Sequence, residues 1–517
     1  YSSYHINKYQ DDHPPTPAAV YRCRAAEALP PQPGPAARPD PHAPCKSFLH
    51  RPIPRTQHTS NHPPPIPQGE RTPVSPRFQN TGLPPFWPYC TSVRQITSTI
   101  LSPSSSSLTT LQWTRRLETF SRESDSPTLA LSPTSHPHNI FKIGTLTELC
   151  RQTNSSLGAS LRDLYINRLG INTPAITSPS QIYLRTTPVP RALESLQQTF
   201  STLYPPNTRL HSPETGIFPT PVIITRAHAD ETLYPNDGNC RRFAALSRAF
   251  AQRAADRHNN TPDMEYLNQL IGKWMDGGKV AVDSRPRLSG VMDTINATLA
   301  HGPETRLPKE FYDEKARGII EKIGVEEWFQ GYRESEEYRR LGIGGLVGDL
   351  VERMVKSVEG RGDGVRFGLL GCHDTTLAGM LASLGAFGTE RWVPFTSHVA
   401  VELFTDNMKG GRERGGWFGG LFGKGKEIGR RPAEELGEEE KKKLEGYYVR
   451  LRYNDEVVTV PGCRMEGRHL EGDESFCTLA AFKEIVDKFT PKNWKQECRM
   501  GRGETVSLPK VPEPAGY

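Results

Sequence analysis

The stretch Val365-Arg366-Phe367-Gly368-Leu369-Leu370-Gly371-Cys372-His373-Asp374-Thr375-Thr376-Leu377 decides the fold. Its first half, Val365 to Gly371, is almost wholly apolar, with no polar face left over for water. That is the pattern of a strand buried on both sides of a sheet. Thr375 to Leu384 then reads as a helix that starts directly after it. A strand running straight into a helix is the repeating unit of an α/β sheet, and His373 and Asp374 fall at the junction. Open sheets of this kind set their sites at the carboxyl ends of strands, and helix N-termini attract anions.

The same unit recurs on either side. Ile182 to Leu184 is a short strand followed by a helix over Val189 to Leu203, entered through Pro188 and Pro190, which suit a first helical turn. Leu149, Leu157, Leu161, Leu164, Tyr165 and Leu169 recur at helical spacing, so Leu146 to Leu169 is one long amphipathic helix. A helix is also expected over Leu111 to Phe120, a strand over Val222 to Thr225, and a helix over Leu346 to Val358. Tyr447 to Tyr453 and Glu456 to Val460 read as a hairpin turning at Asn454 and Asp455. The sum is a three-layer α/β domain with a mostly parallel sheet, in two sequence pieces, 68–225 and 346–500. Residues 226–345 are polar, rich in Arg and Glu and mostly helical by pattern; they read as a cap inserted into that domain. A glycine-rich and then charged loop occupies 408–444, with a solvated helix at Glu438 to Lys443, and 501–517 reads as a tail.

Residues 1–67 differ from the rest. Sixteen of the 46 prolines and six of the 15 histidines fall here. Proline fixes φ and removes a donor, so this stretch is expected to build no ladder, to bury too little apolar area to offset its ordering entropy, and to be disordered. For the whole chain, a net charge of +6 over 517 residues is too mild to argue for nucleic acid or an acidic membrane. No run of eighteen apolar residues could span a bilayer. The nine cysteines include no CxxC pair. Cys463 and Cys477 could pair, with Cys498 near enough to compete; free buried thiols are an equal reading.

Four segments carry chemistry: Gly69-Glu70-Arg71-Thr72-Pro73; Tyr183-Leu184-Arg185-Thr186-Thr187 with Pro190-Arg191; Ala229-Asp230-Glu231 with Leu233-Tyr234-Pro235-Asn236; and the His373-Asp374 junction. A histidine at a strand end can donate to a phosphoryl oxygen, and a carboxylic acid beside it can protonate a leaving alkoxide. Arginine offers a rigid fork of donors that fits phosphate oxygens, so Arg71 and Arg185 read as clamps. Each element alone has a bland reading, a turn pair or a surface ion pair. Their combination in this order is far less frequent by chance.

In these segments the chain resembles the histidine acid phosphatases of the phosphoglycerate-mutase-like superfamily, and most the lysophosphatidic acid phosphatase type with its fungal relatives. The resemblance runs from about Gly69 to Cys498. Gly69 to Pro73 matches the end of the motif R-H-G-x-R-x-P, and His373-Asp374 matches the family's H-D pair. It implies that Arg71 and Arg185 clamp phosphate, that His373 binds it, and that Asp374 protonates the leaving alcohol after a histidine has attacked phosphorus. It implies no metal and no other cofactor, a small phosphomonoester or lysophospholipid substrate with phytase-like activity still open, and a mitochondrial or cytoplasmic location.

One departure bears on all of this. The arginine and nucleophilic histidine of the motif fall at Pro67 and Gln68. A neutral amide forms no stable phosphoenzyme, so the chain is expected to be inactive by the family's route. Either it is a pseudoenzyme that binds phosphate or phospholipid without turnover, or His62 to Gln68 is the translated tail of an intron. The abrupt change from proline-rich arm to family match, inside a motif, favours the second. A scaffold role for the PxxP spacings of the arm is a third, weaker reading.

Overall fold

The computed structural model describes residues 57–58, 65–66, 70–84, 87, 89, 95–101, 108–114, 118–120, 127–129, 144–362, 364–388, 391–406, 427–501 and 503–517. Pro67, Gln68 and Gly69, the remainder of the 1–67 arm, and 407–426 of the glycine-rich loop lie outside the described residues.

Two short strands, β1 (Gln57–His58) and β2 (Pro65–Ile66), come first. β3 (Gln95–Leu101) and β4 (Leu108–Thr114) form an antiparallel ribbon, and β5 (Glu118–Phe120) pairs with β6 (Pro127–Leu129). Strand therefore replaces the helix expected over Leu111 to Phe120. The β-branched Thr109, Thr110 and Thr114 are stiff at χ1 and favour extended backbone there. α1 (Glu148–Leu161) continues unbroken through a wider helical stretch, Arg162–Arg168, giving the long helix read from the leucine spacing. β7 (Ile182–Thr186), α2 (Pro190–Leu203) and β8 (Ile223–Ile224) follow. Helices then dominate: α3 (Arg241–His258), α4 (Pro262–Ile271), α5 (Leu288–Ala300), α6 (Glu314–Glu334), α7 (Glu336–Arg339) and α8 (Gly345–Val358). β9 (Phe367–Gly371) runs into α9 (Asp374–Ser383) as the deciding stretch requires. β10 (Val399–Thr405), the charged helix α10 (Glu438–Lys442), β11 (Tyr447–Tyr453), β12 (Glu456–Val458), β13 (His469–Leu470), β14 (Asp473–Thr478), α11 (Leu479–Asp487) and α12 (Trp494–Glu497) complete the chain.

A parallel sheet runs β2-β9-β7-β8, and all five residues of β9 are buried. The remaining larger sheet, β1-β10-β11-β14-β13 with β12 on β11, is antiparallel throughout, so the expectation of a mostly parallel sheet holds for one half only. The antiparallel half follows from its short connections: Asn454 and Asp455 both take positive φ, 49° and 70°, and turn β11 into β12 without a crossover. The arm also departs from expectation. Gln57–His58 pairs with β10 and Pro65–Ile66 pairs in parallel with Leu370–Gly371. Proline is tolerated at the start of β2 because that strand ends the parallel sheet.

Residues of β9 alternate between two apolar layers. Phe367 and Leu369 pack with Leu157, Leu161, Leu184 and Leu196, beneath α1 and α2. Leu370 joins the larger core formed with α5, α6, α8 and α9. Burying each such side chain stabilises the fold by roughly 1.5–3 kcal/mol, which is why this strand tolerates no polar residue on either face. Cys240 at the head of α3 bonds to Cys498 after α12, and Cys463 bonds to Cys477. The free-thiol reading therefore holds only for Cys150 and Cys372 among the described cysteines.

Candidate active site

Three strand exits meet at one level. In the sheet register Ile66 of β2 and Thr186 of β7 both lie opposite Gly371 of β9. The chain leaving β2 leads to Glu70-Arg71-Thr72, the chain leaving β7 to Arg191 in the first turn of α2, and the chain leaving β9 to His373 and Asp374. Gly371 sets their spacing. A Cβ there would lie 2.7 Å from the Ala192 carbonyl and 2.8 Å from Thr186 Oγ1, so only glycine lets α2 begin so close to β9.

Arg71 is fully buried. Its backbone forms a bridge with Leu146, and the flanking Thr72 N–H donates to Thr145 O at 3.1 Å, which pins the segment. Its Nη1 donates to Asp293 Oδ1 at 2.8 Å. Its Nε and Nη2 are buried with no hydrogen-bond partner among the described residues. Buried donors are seldom left so, and a guanidinium edge of this kind is a site for an anion.

His373 caps α9; its backbone N–H donates to Thr376 Oγ1 at 3.2 Å. Burial, with the positive charges of Arg191 and Arg71, holds its imidazole neutral, well below the usual histidine range. Asp374 accepts from the Thr375 N–H at 2.8 Å and from Trp392 Nε1 at 3.0 Å. Burial outweighs those hydrogen bonds and the two arginine charges, and pushes its carboxyl up to about 7. It is thus a protonated acid below neutral pH. Arg191 is pushed down to about 9 by burial and by the charge of Arg71, and still carries its proton at that pH. Arg71, Arg191, His373 and Asp374 therefore lie within electrostatic reach of one another: two guanidiniums, a neutral imidazole and a carboxylic acid. That set can neutralise a bound phosphoryl group and hand a proton to its leaving oxygen.

Arg185, expected in this cluster, is directed elsewhere. Its Nη2 donates to Glu231 Oε1 at 2.5 Å and to Thr232 Oγ1 at 3.1 Å, and Nη1 lies 3.8 Å from Asp349. Alternation along β7 explains it: successive side chains leave on opposite faces. The Glu231 carboxylate also caps the N–H groups of Thr232 and Leu233, both at 2.8 Å. Arg185 thereby steadies the third sequence segment, whose Leu233 carbonyl accepts from Thr376 Oγ1 at 2.5 Å and whose Tyr234 ring meets His373 edge-on at 5.8 Å between centroids. Arg191 takes the place near His373 and Asp374. Its signal was in the sequence, an arginine just after the proline that opens a helix, pointing at a strand end. Asp293 and Trp392 gave none, since they reach the pocket from distant helical and loop segments. Gln68 lies outside the described residues. Among the described residues no group of three or more His, Cys, Asp or Glu could hold a metal ion, and no helix is long and apolar enough to cross a membrane.

Fold and pocket together define a phosphatase-like α/β protein with arginines around a histidine and an acid. The profile of the histidine phosphatase superfamily (branch 2) matches residues 69–454, and the chain belongs to that family. It is 34% identical over 447 residues to a "probable acid phosphatase" of Schizosaccharomyces pombe, covering 83% of this chain and 92% of the relative. It is 24% identical over 376 residues to the prostatic acid phosphatase of Homo sapiens, covering 72% of this chain and 83% of that one. The apo phytase of Hafnia alvei shares the fold, with a TM-score of 0.51 at 11% identity, covering 86% of this chain and 99% of the phytase. The family and these relatives are hydrolases of phosphate esters, and the acid phosphatase character of the fold is a family trait.

Proposed function

We propose that the pocket binds the phosphoryl group of a phosphomonoester between Arg71 and Arg191, with His373 donating to it and Asp374 as the proton donor. The observation that carries this reading is the buried Nε–Nη2 edge of Arg71, which has no partner among the described residues, in a pocket shared with an acid pushed up to about 7. In the family's route, a histidine nitrogen attacks phosphorus, the P–N bond forms as the P–O ester bond breaks, and Asp374 protonates the departing alkoxide. Water then attacks the phosphohistidine, giving its proton to Asp374 and releasing phosphate.

That route needs a histidine at position 68, where this chain has glutamine. The chain as given is therefore a phosphate binder without phosphohistidine turnover. A chain with Arg and His at 67 and 68 is an acid phosphatase. Sequencing the mature transcript across codons 40–80 decides which of the two a cell makes. For the chain as given, calorimetric titration with inorganic phosphate is the direct test. Saturable binding lost in Arg191→Met supports the pocket, and no binding at all sinks it.

The double substitution Pro67→Arg, Gln68→His should then give acid-optimum phosphatase activity. A folded but inert restored chain would overturn the site assignment. A lysophosphatidic acid substrate rests on the sequence resemblance to that subgroup. Comparing kcat/KM for lysophosphatidic acid and 4-nitrophenyl phosphate in the restored chain tests it.

A further inference from the structure

Asp293 stands on α5, in the inserted helical segment, 222 residues away from Arg71 in sequence. Its side chain is 1% exposed and both oxygens are engaged. Oδ1 accepts from Arg71 Nη1 at 2.8 Å; Oδ2 accepts from Arg77 Nη1 at 3.0 Å and from the Val74 N–H at 3.1 Å. The helix is seated tightly enough to hold these contacts. A Cβ on Gly290, one turn earlier, would fall 2.9 Å from Arg77 Nε.

A guanidinium is a flat fork, and what it offers a ligand depends on which edge is tied down. Here Nη1 is doubly tied, to Asp293 and to the Thr72 carbonyl at 3.2 Å. The opposite edge, Nε with Nη2, is the pair left without a partner among the described residues. We propose that Asp293 is a positioning residue, turning Arg71 so that its Nε–Nη2 edge faces the phosphoryl group. The inserted segment would then complete the pocket as well as cover it. This inference rests on the phosphate-pocket reading above. A carboxylate placed near an anion site for no such purpose would only repel the ligand, so charge alone and positioning predict opposite signs for its removal.

The test is calorimetric titration of inorganic phosphate into the full chain and into Asp293→Asn, Arg71→Lys and the double variant. Positioning predicts that Asp293→Asn weakens binding on the order of 10-fold, the scale of one misdirected charge-assisted hydrogen bond. In the Arg71→Lys background the same change should cost less than about 2-fold, because an ammonium has no edge to orient. Tighter binding in Asp293→Asn, or losses that multiply in the double variant, would overturn the proposal. If Asp293→Asn fails to fold, Asp293→Glu keeps the charge and moves the carboxylate by one carbon; an unchanged Kd there would overturn it too. Absence of binding in the unsubstituted chain would instead refute the pocket, and this inference with it.

Discussion

Trp392 Nε1 donates to Asp374 Oδ2 at 3.0 Å, from a ring that is itself buried against Phe329. This hydrogen bond favours the ionised carboxylate and partly opposes the burial that raises it. Trp392→Phe keeps most of the ring volume and removes the donor. In the chain restored at positions 67 and 68, the basic limb of kcat against pH should move upward. An unmoved limb would show that Asp374 is not the titrating acid.

Asp374→Asn in the restored chain should lower kcat on the order of 10²–10⁴-fold for alkyl phosphates, the usual worth of a positioned acid. The loss should shrink for 4-nitrophenyl phosphate, whose leaving group needs no proton. Equal losses for both substrates would assign Asp374 to binding.

The same carboxyl ties stability to pH. Folding raises it from the ordinary 3.8 to about 7, so between those values the folded chain holds a proton that the unfolded chain has released. Its contribution is complete below the lower value and is lost as pH rises through the upper one. Asp374→Asn should therefore flatten the fall in Tm across that window, as read by calorimetry from pH 4 to 8.

Arg185 and Arg191 should separate cleanly. Arg185→Met leaves the buried Glu231 carboxylate without its counter-charge, and should cost about 3–5 kcal/mol in urea unfolding with little change in phosphate affinity. Arg191→Met should weaken phosphate binding at least about 10-fold, the scale of one charge-assisted contact. The reverse pattern would restore Arg185 to the clamp.

Replacing Cys240 and Cys498 together by serine should lower stability by about 2–5 kcal/mol, since the bridge closes a very long loop of the unfolded chain. An unchanged urea midpoint would show that the packing of α3 against the chain after α12 suffices.

Much of this was readable beforehand because it is local. The apolar run of β9 and its direct entry into α9 follow from adjacent residues, and they put His373 and Asp374 at a strand end. The proline before Arg191 marked a helix start in the same way. What could not be read was which way a side chain leaves its strand: Arg185 and Arg191 both follow from one segment, and only the pleat of β7 decides that the first turns toward Glu231. Asp293 and Trp392 were out of reach for a different reason. They meet the pocket through contacts over long sequence separations, and nothing in their own neighbourhoods distinguishes them from ordinary helix and loop residues. Leu111 to Phe120 failed because what makes it strand is pairing with other stretches, Leu111–Thr114 with Gln95–Ser98 and Glu118–Phe120 with Pro127–Leu129.

The seat of Ala192 against Gly371 carries a consequence for how such a sequence can change over time. Where the neighbours of a core residue are flexible side chains, a larger residue can be absorbed as they repack. At position 371 the neighbour is the opening turn of the helix that bears Arg191, and two residues further along the strand's own chain stands His373. One added methyl would have to prise those walls apart, so a lineage that kept the pocket would keep this glycine too. A survey of descendants would then rank Gly371 beside the chemical residues, although no ligand need ever touch it.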